Sequence, residues 1–253
     1  MLHDPTQLRL GRRAPRVDSR TLRLGAYLTP GQLPEVPSKL DNGAGIKDWG
    51  LLKNDVLGDC TAAGILHLLM LWGQADGLYK SFTDADAISL YSQLCGYVPG
   101  KPETDQGGVE IDILNTWRKT PIMGCELTLY ASVNPKNWAL VKAAILLCGG
   151  LYMGLALPTS AQNEEVWKDT SGTPGSWGGH CVTASGYADR VTCLDDDTLT
   201  CITWGQPKKM TRKWLATYCD ELYAPLSPTW LGPDNKAPNG FNMAQLQADL
   251  RLI

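Results

Sequence analysis

The chain has few histidines, no apolar run of membrane-spanning length and no paired metal-binding cysteines. Each shortage narrows what it can do. The longest apolar stretch, AAILLCGGLYMGLAL (143–157), is interrupted by glycine and falls short of the ~20 residues that a bilayer core requires. It reads as a buried, strand-like core segment, and no membrane partner is expected. The N-terminus lacks the basic, then apolar, then small-residue pattern of an export signal. The eight cysteines at 60, 95, 125, 148, 181, 193, 201 and 219 are therefore expected to be free thiols rather than a disulfide framework. The expected compartment is the cytoplasm or, for a phage-encoded chain, the host cytoplasm or the virion. No cysteine belongs to a C-x-x-C pair, which argues against zinc. The acidic LDDDTLT (194–200) lacks the spacing of a calcium loop and reads as a solvated turn. No metal or organic cofactor is expected.

What is present is an ordinary globular composition, 43% hydrophobic and 19% charged over 253 residues. That is enough for one large domain or two small ones with a substantial core. The net charge of −3 provides no global attraction to nucleic acid or membrane. It hides an asymmetry, because RLGRRAPRVDSRTLR places six arginines between Arg9 and Arg23. Residues 1–36, punctuated by TPGQLPEVP, read as a basic extended arm. The arm's arginines are not interleaved with aromatic residues for stacking on bases, so nucleic acid is not an expected partner. It could instead lie across an acidic surface, in an oligomer or a larger assembly.

Beyond the arm, apolar residues surround the segment from Gly58 to about Gln74 on all sides, the pattern of a centrally buried helix. Thr83 caps a second helix carrying Asp84 and Asp86 in its first turn. A third helix fits EIDILNTWRKT, and a fourth fits NPKNWALVKAAILLC with Pro135 at its first position. The later segments GLYMGLALP, GGHCVTASGYAD, RVTCLDD and LTCITWGQ are short β-like runs between Gly, Pro and Asp turns. TRKWLATYCDELYAPL reads as a late helix or a helix-to-strand return. SPTWLGPDNKAPNG is an irregular linker, and the amphipathic NMAQLQADLRLI is a C-terminal docking helix. Helices first and a sheet second give an α+β chain of two lobes that meet near residues 150–158.

The turn GDC leading into the apolar helix raises one chemical question. A thiol becomes nucleophilic where a helix N-terminus or an imidazolium stabilises its thiolate. Gly58 permits the tight turn and Asp59 is a candidate N-cap, so Cys60 has the first of these. Of the three histidines, His3 lies in the arm and His67 lies two helical turns beyond Cys60, too far for proton transfer. His180, in GSWGGHCVTASGY, is left as the possible partner. A lone helix cysteine or a lone strand histidine is more often a core residue, so neither carries a catalytic reading by itself.

Their flanks carry more. The segments VPSKLDNGAGIKDWGLLKNDVLGDCTAA, TDQGGVEIDILNTWRKTPI, GGHCVTASGYAD and ITWG, in that order over residues 35–225, resemble the papain-like cysteine peptidase family. GDCT, TWG and DELYA are similar to a divergent bacterial and phage branch. The resemblance implies a papain-like two-lobed fold over residues 37–225, with a helical lobe (58–150) followed by an antiparallel β lobe (151–225). A linker and docking helix would fill 226–253. It implies Cys60 as nucleophile, His180 as its base and Asn54 at the place of the oxyanion-hole glutamine. Gly107 and Gly108 would bind substrate backbone, Trp204 would shield the histidine, and Trp177 would flank the cleft. The implied partner is a peptide or protein substrate.

Three positions depart from that pattern. The family's orienting asparagine falls on Ile202, and strand alternation is expected to turn Thr203 to the opposite face, leaving His180 without an orienting group. Asn54 is one methylene shorter than glutamine. Asp59 sets a carboxylate beside the thiol, which disfavours the thiolate. An arm of about 35 residues also leaves the family's inhibitory propeptide unaccounted for. Two readings follow: a thiol hydrolase cleaving a peptide or isopeptide bond, or a catalytically inactive papain-fold module, such as an accessory part of a phage particle attached through its basic arm.

Overall fold

The computed structural model describes residues 8–27, 35–75, 77, 80–190 and 193–231. In chain order its elements are β1 (Leu22–Arg23), α1 (Leu24–Tyr27), β2 (Lys39–Asp41), α2 (Cys60–Ala75), α3 (Asp84–Cys95), α4 (Glu110–Trp117), β3 (Leu129–Ser132) and α5 (Trp138–Cys148). They continue with β4 (Leu151–Leu157), β5 (Val166–Trp167), β6 (Gly178–Ala188), β7 (Thr198–Thr203), β8 (Gln206–Thr211), α6 (Arg212–Tyr218), β9 (Cys219–Leu226) and α7 (Pro228–Leu231). The chain is α+β, and no helix among the described residues is long and apolar enough to cross a membrane.

Helix α2 is the hub. Every residue from Cys60 to Gly73 is buried, as an apolar pattern on all sides requires. Its neighbour α3 starts at a capping box. The Asp86 N–H donates to the Thr83 hydroxyl at 3.3 Å and the Thr83 N–H donates to the Asp86 carboxylate at 2.8 Å, so two otherwise orphaned donors are satisfied reciprocally. Helix α5 begins later than the sequence implies. Asn137, not Asn134, caps it by accepting from Leu140 N. Asn134 instead accepts from Lys136 N in a local turn, the alternative that short polar side chains offer the backbone. The apolar run 143–157 is therefore divided between the end of α5 and β4, with Gly149 taking the left-handed C-cap at φ 75°.

One sheet runs β1-β3-β9-β4-β6-β7-β8-β5, with β2 pairing β6 off that path. Its centre is antiparallel, but β1 pairs β3 in parallel and so does β5 with β8. The separation of helices from strands is thus incomplete, because β1, β2 and β3 precede the expected boundary near residues 150–158 yet join the sheet of the later strands. Non-local pairing overrides chain order here. The linker is also less irregular than its Pro and Gly content implies. Within it α7 buries Trp230, whose indole N–H donates to Leu147 O at 2.6 Å. The docking helix expected at 242–253 lies outside the described residues. Tryptophans close the core elsewhere: Trp72, Trp117 and Trp167 are buried, and their N–H groups reach the carbonyls of Cys148, Cys125 and Ala161. None of the eight cysteines is in a disulfide.

Candidate active site

Cys60 is the first residue of α2, fully buried, where the helix N-terminus favours an anion. The turn before it is held from across the cleft. Asp105 accepts the Gly58 N–H at 3.0 Å and the Tyr91 hydroxyl at 2.8 Å, and Tyr91 in turn accepts the Gly107 N–H at 2.7 Å. One carboxylate thereby ties the loop before the thiol to the Gly107–Gly108 segment. Asp105 and Tyr91 carry no recognisable sequence signal.

Strand β6 brings the histidine to the same place. The N–H of Cys181, the residue after His180, points at Cys60 Sγ at 3.4 Å. His180 is fully buried and stacks on Trp204, with ring centroids 4.3 Å apart and planes 12° from parallel. Trp177 packs against Trp204 at 5.6 Å. His180 Nε2 lies 2.8 Å from Thr203 Oγ1, while Nδ1 has no partner. The expectation that Thr203 faces away from His180 is overturned, and the sheet register supplies the reason. Ile202 pairs with Thr183 across β6 and β7, and cross-strand partners share a face. Ile202 therefore points with Thr183 and Cys181 into the core, and Thr203 points with Val182 and His180.

Asn54 is buried nearby, but its amide donates to Asp59 Oδ1 at 3.1 Å and weakly to Leu57 O at 3.5 Å. Asp59 does not cap α2 with its side chain: Oδ1 accepts from Asn54, Oδ2 has no partner, and its carbonyl accepts the Ala62 and Ala63 N–H groups. Burial pushes the Asp59 carboxyl up to about 8, so at neutral pH it is mostly uncharged and its effect on the thiol is small. His67 accounts for the other described histidine. It is buried against Trp49, with Nε2 within 3.3 Å of the Trp49 and Gly50 carbonyls.

The cleft is occupied by the chain's own arm. Gly108 N donates to Gly11 O at 2.9 Å, Arg13 N donates to Gly108 O at 2.8 Å, and Arg12 N donates to Gly179 O at 3.1 Å. The arm thus runs parallel to Gly108 on one wall and hydrogen-bonds the strand of His180 on the other. Contact is so close that a Cβ on Gly11 would fall 1.8 Å from Gly58 O, and one on Gly107 would fall 1.9 Å from Gly11 O. The Gly11 N–H lies against the Cys60 sulfur while its carbonyl is turned to Gly108. The arm therefore offers the thiol a hydrogen-bond donor.

Electrostatics follow from this packing. Burial pushes the Cys60 thiol up to about 12, only partly offset by the N–H groups of Cys181 and Gly11. Burial, with the nearby charge of Arg12, pushes His180 down to about 3. With the arm in place both groups are neutral. Four of the arm's arginines pair within the chain: Arg9 with Asp105, Arg12 with Asp220 and Glu221, Arg16 with Asp112, and Arg20 with Asp18.

No family model matches the sequence, and no curated protein sequence matches it either. Solved structures do match. Xylellain, a cysteine protease from Xylella fastidiosa, superposes with a TM-score of 0.65 at 13% identity, covering 87% of this chain and 96% of its own. Procathepsin B S9 from Trypanosoma congolense gives 0.61 at 12% identity, covering 89% and 88%. Digestive procathepsin L 3 from the larval midgut of Tenebrio molitor gives 0.55 at 12% identity, covering 82% and 74%. With this topology and a cysteine at the head of the buried central helix, the chain has the fold of the papain-like cysteine proteases.

Proposed function

We propose that the protein is a papain-like thiol hydrolase acting on peptide or isopeptide bonds, held latent by residues 8–13 of its own arm. The observation that supports this reading is the approach of the Cys181 N–H to Cys60 Sγ at 3.4 Å, which sets the head of α2 beside the strand that carries His180. A thiol sits at a helix N-terminus, and an imidazole is oriented through one nitrogen with the other left bare.

Once the arm withdraws, Nε2–H of His180 donates to Thr203 and Nδ1 accepts the Cys60 proton. The thiolate attacks the substrate carbonyl carbon, and the negative charge passes to the carbonyl oxygen beside the Cys60 backbone N–H. As the tetrahedral intermediate collapses, the imidazolium returns its proton to the leaving amine and a thioester remains. Water, deprotonated by His180, then attacks the thioester, giving the carboxylic acid and restoring the thiol. Asn54 can serve the oxyanion only by giving up Asp59 or Leu57. Gly107 and Gly108 fit an extended substrate backbone, since the arm's backbone already pairs with Gly108. Trp204 keeps one face of the imidazole dry.

The engaged amide of Asn54 favours a second reading, an inert papain-fold module whose cleft anchors its own arm and whose surface serves an assembly. Hydrolysis of a peptide library by the Arg12→Ala protein separates the two. The hydrolase reading expects turnover that Cys60→Ala and His180→Ala each abolish. Unchanged turnover in Cys60→Ala, or none with any substrate, contradicts it.

A further inference from the structure

The side chain of Arg12 leaves the cleft and enters a closed acidic pocket. Its Nη1 donates to Glu221 Oε2 at 2.7 Å and its Nη2 to the Asp220 carboxylate at 2.8 Å. Glu221 is itself held by the Tyr223 hydroxyl at 2.9 Å. Glu110, fully buried at the start of α4, faces the same guanidinium and also lies against the Cys181 thiol. The pocket exists because residue 154 has no side chain. A Cβ on Gly154 would lie 2.7 Å from Glu110 Oε1 and 3.0 Å from Arg12 Cδ and Nη1.

These carboxylates do not form one local cluster. They come from α4 and β9, and they converge on the point reached by whichever residue pairs with Gly108 and Gly179. Emptied of Arg12, the pocket would hold two buried glutamates, whose carboxyls burial already pushes up, beside the exposed Asp220, with no cation to satisfy them, which is costly. A neutral side chain would leave them so, and an acidic one would add repulsion. A lysine would meet one carboxylate as a point charge, whereas a guanidinium fork spans Glu221 and Asp220 together.

We propose that this pocket selects an arginine side chain in the peptide that replaces the arm, so that Glu110, Asp220 and Glu221 set the substrate class. The proposal rests on the hydrolase reading of the cleft. It makes Arg12 the chain's own stand-in for a substrate residue.

Two measurements on the full chain test it. In Arg12→Ala protein, propylguanidine should raise the melting temperature by several degrees. Butylamine should do less, and neutral propylurea nothing, with the effect lost in Arg12→Ala/Glu221→Gln. Propylguanidine no better than propylurea overturns the pocket. If Arg12→Ala does not fold, Arg12→Lys replaces it with the same comparison. Second, peptidyl acyloxymethyl ketones carrying arginine or its neutral isostere citrulline at successive positions are compared by their rate of Cys60 labelling. At one position arginine should win at least tenfold, and Glu221→Gln should remove the preference. Equal rates at every position, or no labelling by any arginyl probe while iodoacetamide labels Cys60, overturn the substrate assignment. Failure of iodoacetamide as well sinks the hydrolase reading instead, and the guanidine shift then decides the pocket alone.

Discussion

Thr203 Oγ1 lies 2.8 Å from His180 Nε2, on the same face of the sheet, while the neighbouring Ile202 turns into the core. The orienting group of the site is thus a hydroxyl one residue beyond the position that sequence resemblance indicates. Thr203→Val should lower turnover by about 10- to 100-fold, less than the ~10⁴ lost when a charged orienter is neutralised, and Thr203→Ser should retain most of it. Ile202→Asn should supply no orienter and cost about 2–4 kcal/mol of stability by burying an amide among apolar groups. Steady-state kinetics and urea melts of the three variants check this.

The position of Cys60 at the head of a buried helix and of His180 in a strand was legible because each carries its signal locally. Gly58 and the apolar run mark a turn into a buried helix, and Gly178–Gly179 open the strand of the histidine. Thr203 was not legible, because alternation along one strand says which of its own residues share a face but not which of them share the face of His180 on the neighbouring strand. Only the pairing of Ile202 with Thr183 decides that. Arg12 looked like one of six arginines in a basic extended arm, with nothing to single it out. Its partners Glu110 and Glu221 are 98 and 209 residues away (110 − 12 and 221 − 12), beyond the reach of any local pattern. The same non-locality drew β1 and β2 into the sheet.

Asp59→Asn should stabilise the protein increasingly as pH rises. The folded-state carboxyl titrates at about 8 against about 3.9 unfolded, so between these values the folded state holds the extra proton. Wild-type stability therefore falls with rising pH over that window. Asparagine keeps an oxygen for Asn54 and removes the titration. Thermal melts should show the variant level with wild type near pH 4 and ahead by on the order of 1–3 kcal/mol by about pH 9. A constant difference across the range would contradict the assignment.

His67 acts in the opposite sense. Burial lowers its folded pKa to about 4, so below the unfolded value of about 6.5 the unfolded chain binds a proton that the folded one refuses. Stability should fall as pH drops from about 6.5 to 4 and then level off. His67→Gln should flatten part of that slope, read from denaturant midpoints at several pH values, and His180 should account for a further part that extends to lower pH.

Gly11→Ala should lift the arm without unfolding the protein, since the new methyl would collide with Gly58 O while the core is untouched. Limited trypsin digestion should cut after Arg12 and Arg13 in the variant well before it does so in wild type. The melting temperature should drop, because Glu110 and Glu221 lose their buried cation, while unfolding stays cooperative. Equal cleavage rates would mean that the arm does not depend on this approach.

The most direct test is the rate of Cys60 alkylation by iodoacetamide against pH, read residue by residue by mass spectrometry in Gly11→Ala and Gly11→Ala/His180→Ala. With the arm lifted, the account predicts fast labelling near pH 6, well below the ordinary thiol pKa of about 8.5, and loss of that labelling without His180. A Cys60 as inert as the buried Cys148, or one that reacts only above about pH 8 with or without the histidine, would contradict it.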